Sequence, residues 1–173
     1  FALAEAGCTV LAVERDPWRA EAARVNLASL GDRVEVRLMD AHDLTDADLG
    51  RLRGAYVDPA RRRGDAPRPR DGSRPRPLAD PQDWEPSWRW ILTLADRLPV
   101  VAKVAPGFDA RHAPTTADVE WIDHAGETVE ASVWLGGLGS GQRRATALRE
   151  GVVDTIESAA QHAASASVTT QVR

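Results

Sequence analysis

Apolar positions along the chain repeat with two alternating periods. Residues 9–14 (TVLAVE) form a short β-branched and apolar run, the pattern of a strand buried on both faces of a parallel sheet. Asp16 and Pro17 then make an N-cap and first-turn pair. Residues 18–30 carry Trp18, Ala22 and Val25 at helical spacing, and Gly31 closes the helix. Residues 33–39 (RVEVRLM) alternate polar and apolar side chains, which predicts a half-exposed strand ending at Asp40. The acidic stretch 43–48 predicts a short helix, and residues 55–58 (AYVD) a brief buried strand stopped by Pro59. Helical spacing returns over residues 84–98, with Trp84, Trp88, Ile91, Leu92 and Ala95 on one broad face. Residues 100–104 (VVAKV) predict another buried strand, stopped by Pro106 and Gly107.

Strands alternating with helices in this way predict an α/β fold with a doubly wound, mostly parallel sheet. Three later runs, 119–123, 128–135 and 143–148, read as strands close together in sequence, which predicts antiparallel strands at one edge of the sheet. Residues 1–6 read as the last turns of a helix stopped by Gly7, so the first strand and glycine loop are expected to be missing from the chain. Residues 60–81 are dominated by proline, arginine, glycine and aspartate and predict a long loop. The expected organisation is one domain over residues 1–150, incomplete at its N-terminus, followed over 151–173 by a weak helix and a disordered tail.

Composition narrows the chemistry. The chain has 173 residues and a formal net charge of -4, so no global positive field draws the molecule onto a polyanion, and any such contact is local. A single cysteine excludes an intramolecular disulfide framework, which points to a reducing, cytoplasmic setting; a buried thiol is expected for Cys8. No apolar run approaches the roughly 20 residues needed to cross a bilayer, so no membrane partner is expected. His42, His112, His124 and His162 show no metal-ligand spacing and read as surface residues; no metal is expected.

In an open parallel sheet, ligands bind outside the carboxyl ends of the strands. Glu14, Asp40 and Asp58 each fall at such an end. An acid in the position of Glu14 can accept two hydrogen bonds from a ribose. Asp40 can take an adenine amino group while the Ala41 backbone N–H faces a ring nitrogen. The order points to an adenosine-containing cofactor. Each acid also has a plainer reading: Glu14 as a solvated carboxylate near Arg15 or Arg19, Asp40 as a turn residue, Asp58-Pro59 as a strand stop.

The runs Val13-Glu14-Arg15-Asp16-Pro17, Asp40-Ala41, Val57-Asp58-Pro59-Ala60-Arg61-Arg62 and Val101-Ala102-Lys103-Val104-Ala105-Pro106-Gly107 resemble class I, Rossmann-like methyltransferases. They resemble particularly the bacterial group carrying a THUMP-like C-terminal domain. The resemblance covers roughly residues 1–148. It implies methyl transfer from S-adenosylmethionine, with Glu14, Arg15, Asp40, Ala41 and Asp58 binding cofactor. It further implies Asp58 and Lys103 as catalytic residues and Pro59, Arg61 and Arg62 against the substrate, with RNA the expected acceptor. Two departures stand out. The glycine-rich loop that would approach the methionine part of the cofactor is not in the chain. Arg61 also stands two positions after the first proline of the motif, where many base-directed enzymes carry an aromatic residue, so that motif supplies no stacking surface.

Other features leave alternatives open. The arginines from Arg61 to Arg76 read either as a phosphate-contacting loop for RNA or as a solvated, disordered segment. With the glycine loop missing, a non-catalytic Rossmann-like module that binds RNA or a nucleotide through that loop is the second hypothesis, and a nicotinamide-dependent enzyme the third. Lys103 is the only lysine in an arginine-rich chain, either a required compact ammonium or a snorkelling strand-end side chain. Gly136, Gly137, Gly139 and Gly141 read as a flexible hairpin connection rather than a dinucleotide loop. Trp84 and Trp88 read as core.

Overall fold

The computed structural model describes residues 1–61, 78, 80–159 and 167–172. The chain divides into two compact units, Phe1–Gly50 and Arg51–Arg173. The first holds α1 (Ala2–Glu5), β1 (Val10–Glu14), α2 (Pro17–Leu27), β2 (Val34–Leu38) and α3 (Asp46–Leu49). Gly7 ends α1 with φ +93, and the N–H groups of Cys8 and Gly7 reach back to the carbonyls of Leu3 and Ala4, the paired bonds of a Schellman stop. Asp16 caps α2 by accepting the N–H groups of Trp18 at 2.9 Å and Arg19 at 3.0 Å. β1 and β2 pair in parallel, Val10 opposite Val34 through Glu14 opposite Leu38.

Burial in this unit departs from the periodicity. The stripe Trp18, Ala22, Val25 faces solvent, with Trp18 84% and Val25 68% exposed. The inward side of α2 is Ala20, fully buried, with Ala23 and Leu27 half-buried. Both stripes are apolar at helical spacing, so period alone does not choose between them; packing against β1 and β2 accompanies burial of the Ala20 side. All five β1 residues are half-buried rather than enclosed, because β1 pairs only with β2 among the described residues. Cys8 is exposed, not buried.

The second unit holds β3 (Ala55–Val57), α4 (Trp88–Ala95), β4 (Val100–Val104), β5 (Asp118–His124), β6 (Glu127–Leu135), β7 (Gln142–Arg149), β8 (Val152–Ala159) and β9 (Ser167–Val172). These strands form one sheet in the order β3-β4-β6-β5-β7-β8-β9. Pairing is parallel for β3–β4 and β5–β7 and antiparallel for the other neighbours, so β3, β4, β5, β7 and β9 run one way and β6 and β8 run back. The architecture is mixed α/β. The antiparallel part is larger than a single edge: residues 152–159 and 167–172, expected as weak helix and tail, are strands. Their β-branched side chains (Val152, Val153, Thr155, Ile156; Val168, Thr169, Thr170, Val172) favour the extended backbone over the helix suggested by the neighbouring alanines.

Helix α4 is shorter than its periodicity suggested. It starts at Trp88, where Ser87 accepts the Trp90 N–H, and Trp84 lies ahead of it after Pro86 has interrupted the helical path. Both tryptophans are nonetheless core. Trp84 and Trp88 meet edge to face with centroids 6.3 Å apart, Phe108 sits 5.1 Å from Trp88, and both indoles donate hydrogen bonds, to the carbonyls of Leu78 and His112. Trp88, Ile91 and Leu94 are buried on α4. Val100, Ala102, Val104, Val119, Ala131, Val133 and Leu135 are buried on the strands, and their registers place these strand positions on one face of the sheet.

The glycines after β6 do not make a hairpin. Because β5 lies between β6 and β7, the chain must cross the start of β5. A Cβ on Gly139 would stand 2.9 Å from the Trp134 carbonyl and still nearer the Asp118 amide; Gly136, at φ +66, lies against the Leu98 carbonyl. Asp118, buried, secures the crossing by accepting the N–H groups of Ser140 and Gln142 at 2.7 Å each. The exposure pattern predicts opposite results for two tryptophans. Trp88→Ala should cost about 3–5 kcal/mol, whereas Trp18→Ala should stay within about 0.5 kcal/mol. Urea denaturation followed by circular dichroism measures both.

Candidate active site

In the first unit, the carboxyl ends of the parallel pair bring Arg15 and Asp40 together. The Met39 N–H donates to the Glu14 carbonyl at 3.1 Å, extending the pairing one step beyond the strands. Arg15 Nη1 then stands 3.8 Å from Asp40 Oδ2. Glu14, half-buried, turns Oε1 onto the Asp16 N–H at 2.8 Å, which ties the strand end to the start of α2. Asp40 Oδ1 accepts the His42 N–H at 2.9 Å and contacts His42 Nδ1 at 2.6 Å, capping a 3₁₀ turn over Ala41–Asp43. The His42 backbone N–H and ring, and then the Arg15 charge, hold the Asp40 carboxyl below its ordinary value against the opposing effect of burial. Ala41 opens that turn, where a backbone N–H has no partner within the turn.

This donor set suits an adenosine. Glu14 Oε2 and Asp40 Oδ2 are the carboxylate oxygens not used in the two turns, and the Ala41 N–H is a donor next to the second acid.

In the second unit, β3 and β4 pair in parallel with Val57 opposite Ala102, and one further step sets Asp58 beside Lys103. Lys103 Nζ lies 3.9 Å from Asp58 Oδ2 and 3.2 Å from Glu130 Oε2 of β6. The hydrogen bond to Glu130 foremost, with the charges of Asp58 and Glu130, holds the Lys103 ammonium above its ordinary pKa; partial burial opposes this. Tyr56 is more than half exposed and is electrostatically coupled to the same three groups; desolvation is the main cause pushing its phenol up. Pro59 is fully buried, so it can offer no surface to a substrate, contrary to expectation; its ring ends β3 and packs inside. Arg61 is half-buried, with its carbonyl held by the Leu78 N–H at 2.7 Å. Arg62 and the arginines up to Arg76 lie outside the described residues.

Glu130 and Tyr56 escaped the sequence reading. Tyr56 falls within the run expected as a buried strand, and the run 128–135 predicts a strand without singling out Glu130. Only the antiparallel register, with Ser132 opposite Lys103 and Glu130 two positions along, brings its carboxylate to the ammonium. The same polar face continues across the sheet. Arg144 donates to Glu157 at 2.7 Å and stands 3.8 Å from Glu120, which accepts the Thr146 hydroxyl at 2.6 Å. A cavity of about 400 Å³ lies at the other end of β4, beside Trp134, Leu135 and Gly136. Among the described residues, the buried Trp134 indole N–H has no hydrogen-bond partner. No group of three or more metal-ligating side chains occurs among the described residues.

Comparison with known proteins gives a likeness of fold. No described protein family and no curated protein matches the chain. Among solved structures, the chain is similar to that of a "putative methyltransferase from Porphyromonas gingivalis W83", with 20% sequence identity and a TM-score of 0.63. The match covers 87% of this chain and 38% of the other, so the chain spans about two fifths of that protein's length. At this identity the likeness is one of architecture: the chain has a mixed α/β, methyltransferase-like fold.

Proposed function

We propose that the chain belongs to an S-adenosylmethionine-dependent methyltransferase acting on RNA. One observation carries this reading: on a methyltransferase-like fold, the parallel strands β1 and β2 lead to Glu14 and Asp40, acids whose carboxylates suit an adenosine. Glu14 takes the ribose hydroxyls. Asp40 takes the adenine amino group, with Ala41 offering its backbone N–H and Arg15 holding the Asp40 side chain in place. When bound, the cofactor supplies a methyl group on a positively charged sulfur.

Taken by itself, the second unit carries strand-end residues whose chemistry suits an acceptor group. Lys103 stays protonated because Glu130 and Asp58 favour its charged form, so it acts as a hydrogen-bond donor and not as a base. Asp58, more than half exposed, can accept a hydrogen bond from the acceptor and afterwards its proton. RNA as the acceptor class rests on the arginines that follow Pro59, whose planar guanidinium groups match phosphate oxygens.

Calorimetric titration with S-adenosylmethionine and S-adenosylhomocysteine tests the cofactor assignment. Saturable binding is expected, and Glu14→Ala should weaken it by about tenfold or more, the loss of a hydrogen bond to a charged group. Absence of binding by the folded chain would reject the assignment. The acceptor assignment predicts ribonuclease-sensitive transfer of labelled methyl to total cellular RNA; label retained after ribonuclease would reject RNA.

The lowered Asp40 pKa carries a pH consequence. A carboxyl below its ordinary value remains ionised as pH falls, so the Asp40 contribution to cofactor binding should persist through the ordinary carboxylate range and fail only below it. His42→Ala removes the ring hydrogen bond and should move that failure to higher pH. The same titration repeated across pH measures the displacement.

A further inference from the structure

Lys103 has two carboxylates within reach, and they are not equivalent. Glu130 stands at 3.2 Å and is as sheltered as the lysine, each side chain being 30% exposed; Asp58 stands at 3.9 Å and is 53% exposed. The first distance allows a hydrogen bond, whereas the second is the outer edge of an ion pair. The ammonium is thus drawn toward β6, and Asp58 keeps an open side.

We propose that Glu130 is a positioning residue: it takes up the Lys103 ammonium and thereby leaves Asp58 an outward-facing carboxylate, able to accept a hydrogen bond from the acceptor group. The catalytic meaning of this division rests on the methyl-transfer reading; the division itself rests on geometry. Lys103 is one step past the last paired residues of β3 and β4, so its Cα lies beside Asp58 whichever way its side chain turns. Without a competitor on β6, the nearest acid for a flexible four-carbon ammonium is Asp58, and a full pair there would occupy the oxygens the acceptor needs. Glu130 supplies the competitor. The groups facing the ammonium are Tyr56 of β3, Asp58 after it and Glu130 of β6, and the hydrogen bond to Glu130 is the largest influence on its protonation.

The sequence makes this directly measurable, because Lys103 is the only lysine. Acylation by acetic anhydride, read by mass spectrometry on the peptide containing residue 103, reports the fraction of free amine at a fixed pH; the terminal amine appears on a separate peptide. Glu130→Gln should raise the acylation rate several-fold, Asp58→Asn should raise it less, and Glu130→Asp should return part of the effect. Carbodiimide-driven amidation of Asp58 reads the other half: in Glu130→Gln the lysine closes on Asp58 and its modification should slow several-fold. A larger acylation effect from Asp58→Asn than from Glu130→Gln, or Asp58 amidation unchanged or faster in Glu130→Gln, overturns the proposal. Neither measurement needs cofactor or RNA. Failure to bind S-adenosylmethionine with both labelling results intact would therefore reject methyl transfer and leave the Glu130 assignment standing.

Discussion

Parallel backbone pairing is the constraint on which the candidate chemistry depends. Two parallel strands finish at the same edge, so whatever follows each of them is delivered there without any attraction between the side chains themselves. In the first unit this brings Arg15 to Asp40 once the Met39 amide has extended the ladder past Glu14. In the second it brings Asp58 alongside Lys103 one step past Val57 and Ala102. Hydrogen bonds then refine what the ladder delivers: Glu14 onto the Asp16 amide, Asp40 onto His42, Lys103 onto Glu130. The charged groups are all partly exposed, so these contacts act more on geometry and protonation than on global stability.

The sheet of the second unit separates two tasks by face. One face is apolar over β4, β5 and β6, with residues of α4 and an aromatic cluster buried in the same unit. The other carries charges that answer one another across the register: Lys103 opposite Ser132, Ser132 opposite Glu120, Glu120 opposite Arg144, Arg144 opposite Glu157. Half-buried charges of this kind are tolerable only when paired, and here they are, through Glu130, Glu120 and Glu157. The crossing from β6 to β7 needs glycine where backbone passes over backbone. It also needs the buried Asp118 to satisfy the two amides stranded by the crossing.

The sequence by itself determined the elements and the kind of chemistry. β-Branched and apolar runs marked β1 and β4, period-two alternation marked β2, and a short run stopped by Pro59 marked β3; Asp16-Pro17 marked the start of α2, Gly7 the end of α1, and the strand-end acids were legible because an acid closing a strand is conspicuous. These are local features, set by dihedral preference, capping and solvation within a few residues. Tertiary structure decided the rest, because partners distant in sequence cannot be read from a window. Two apolar stripes ran along α2, and only packing showed that Ala20, not Trp18, faces inward. The closing alanines and serines suggested helix, yet β7 offered an edge to which the β-branched residues around them could pair. Pro59 looked like part of a substrate mouth and is buried. Glu130 was one polar residue among many until an antiparallel register carried it to the only lysine in the chain, 27 positions earlier.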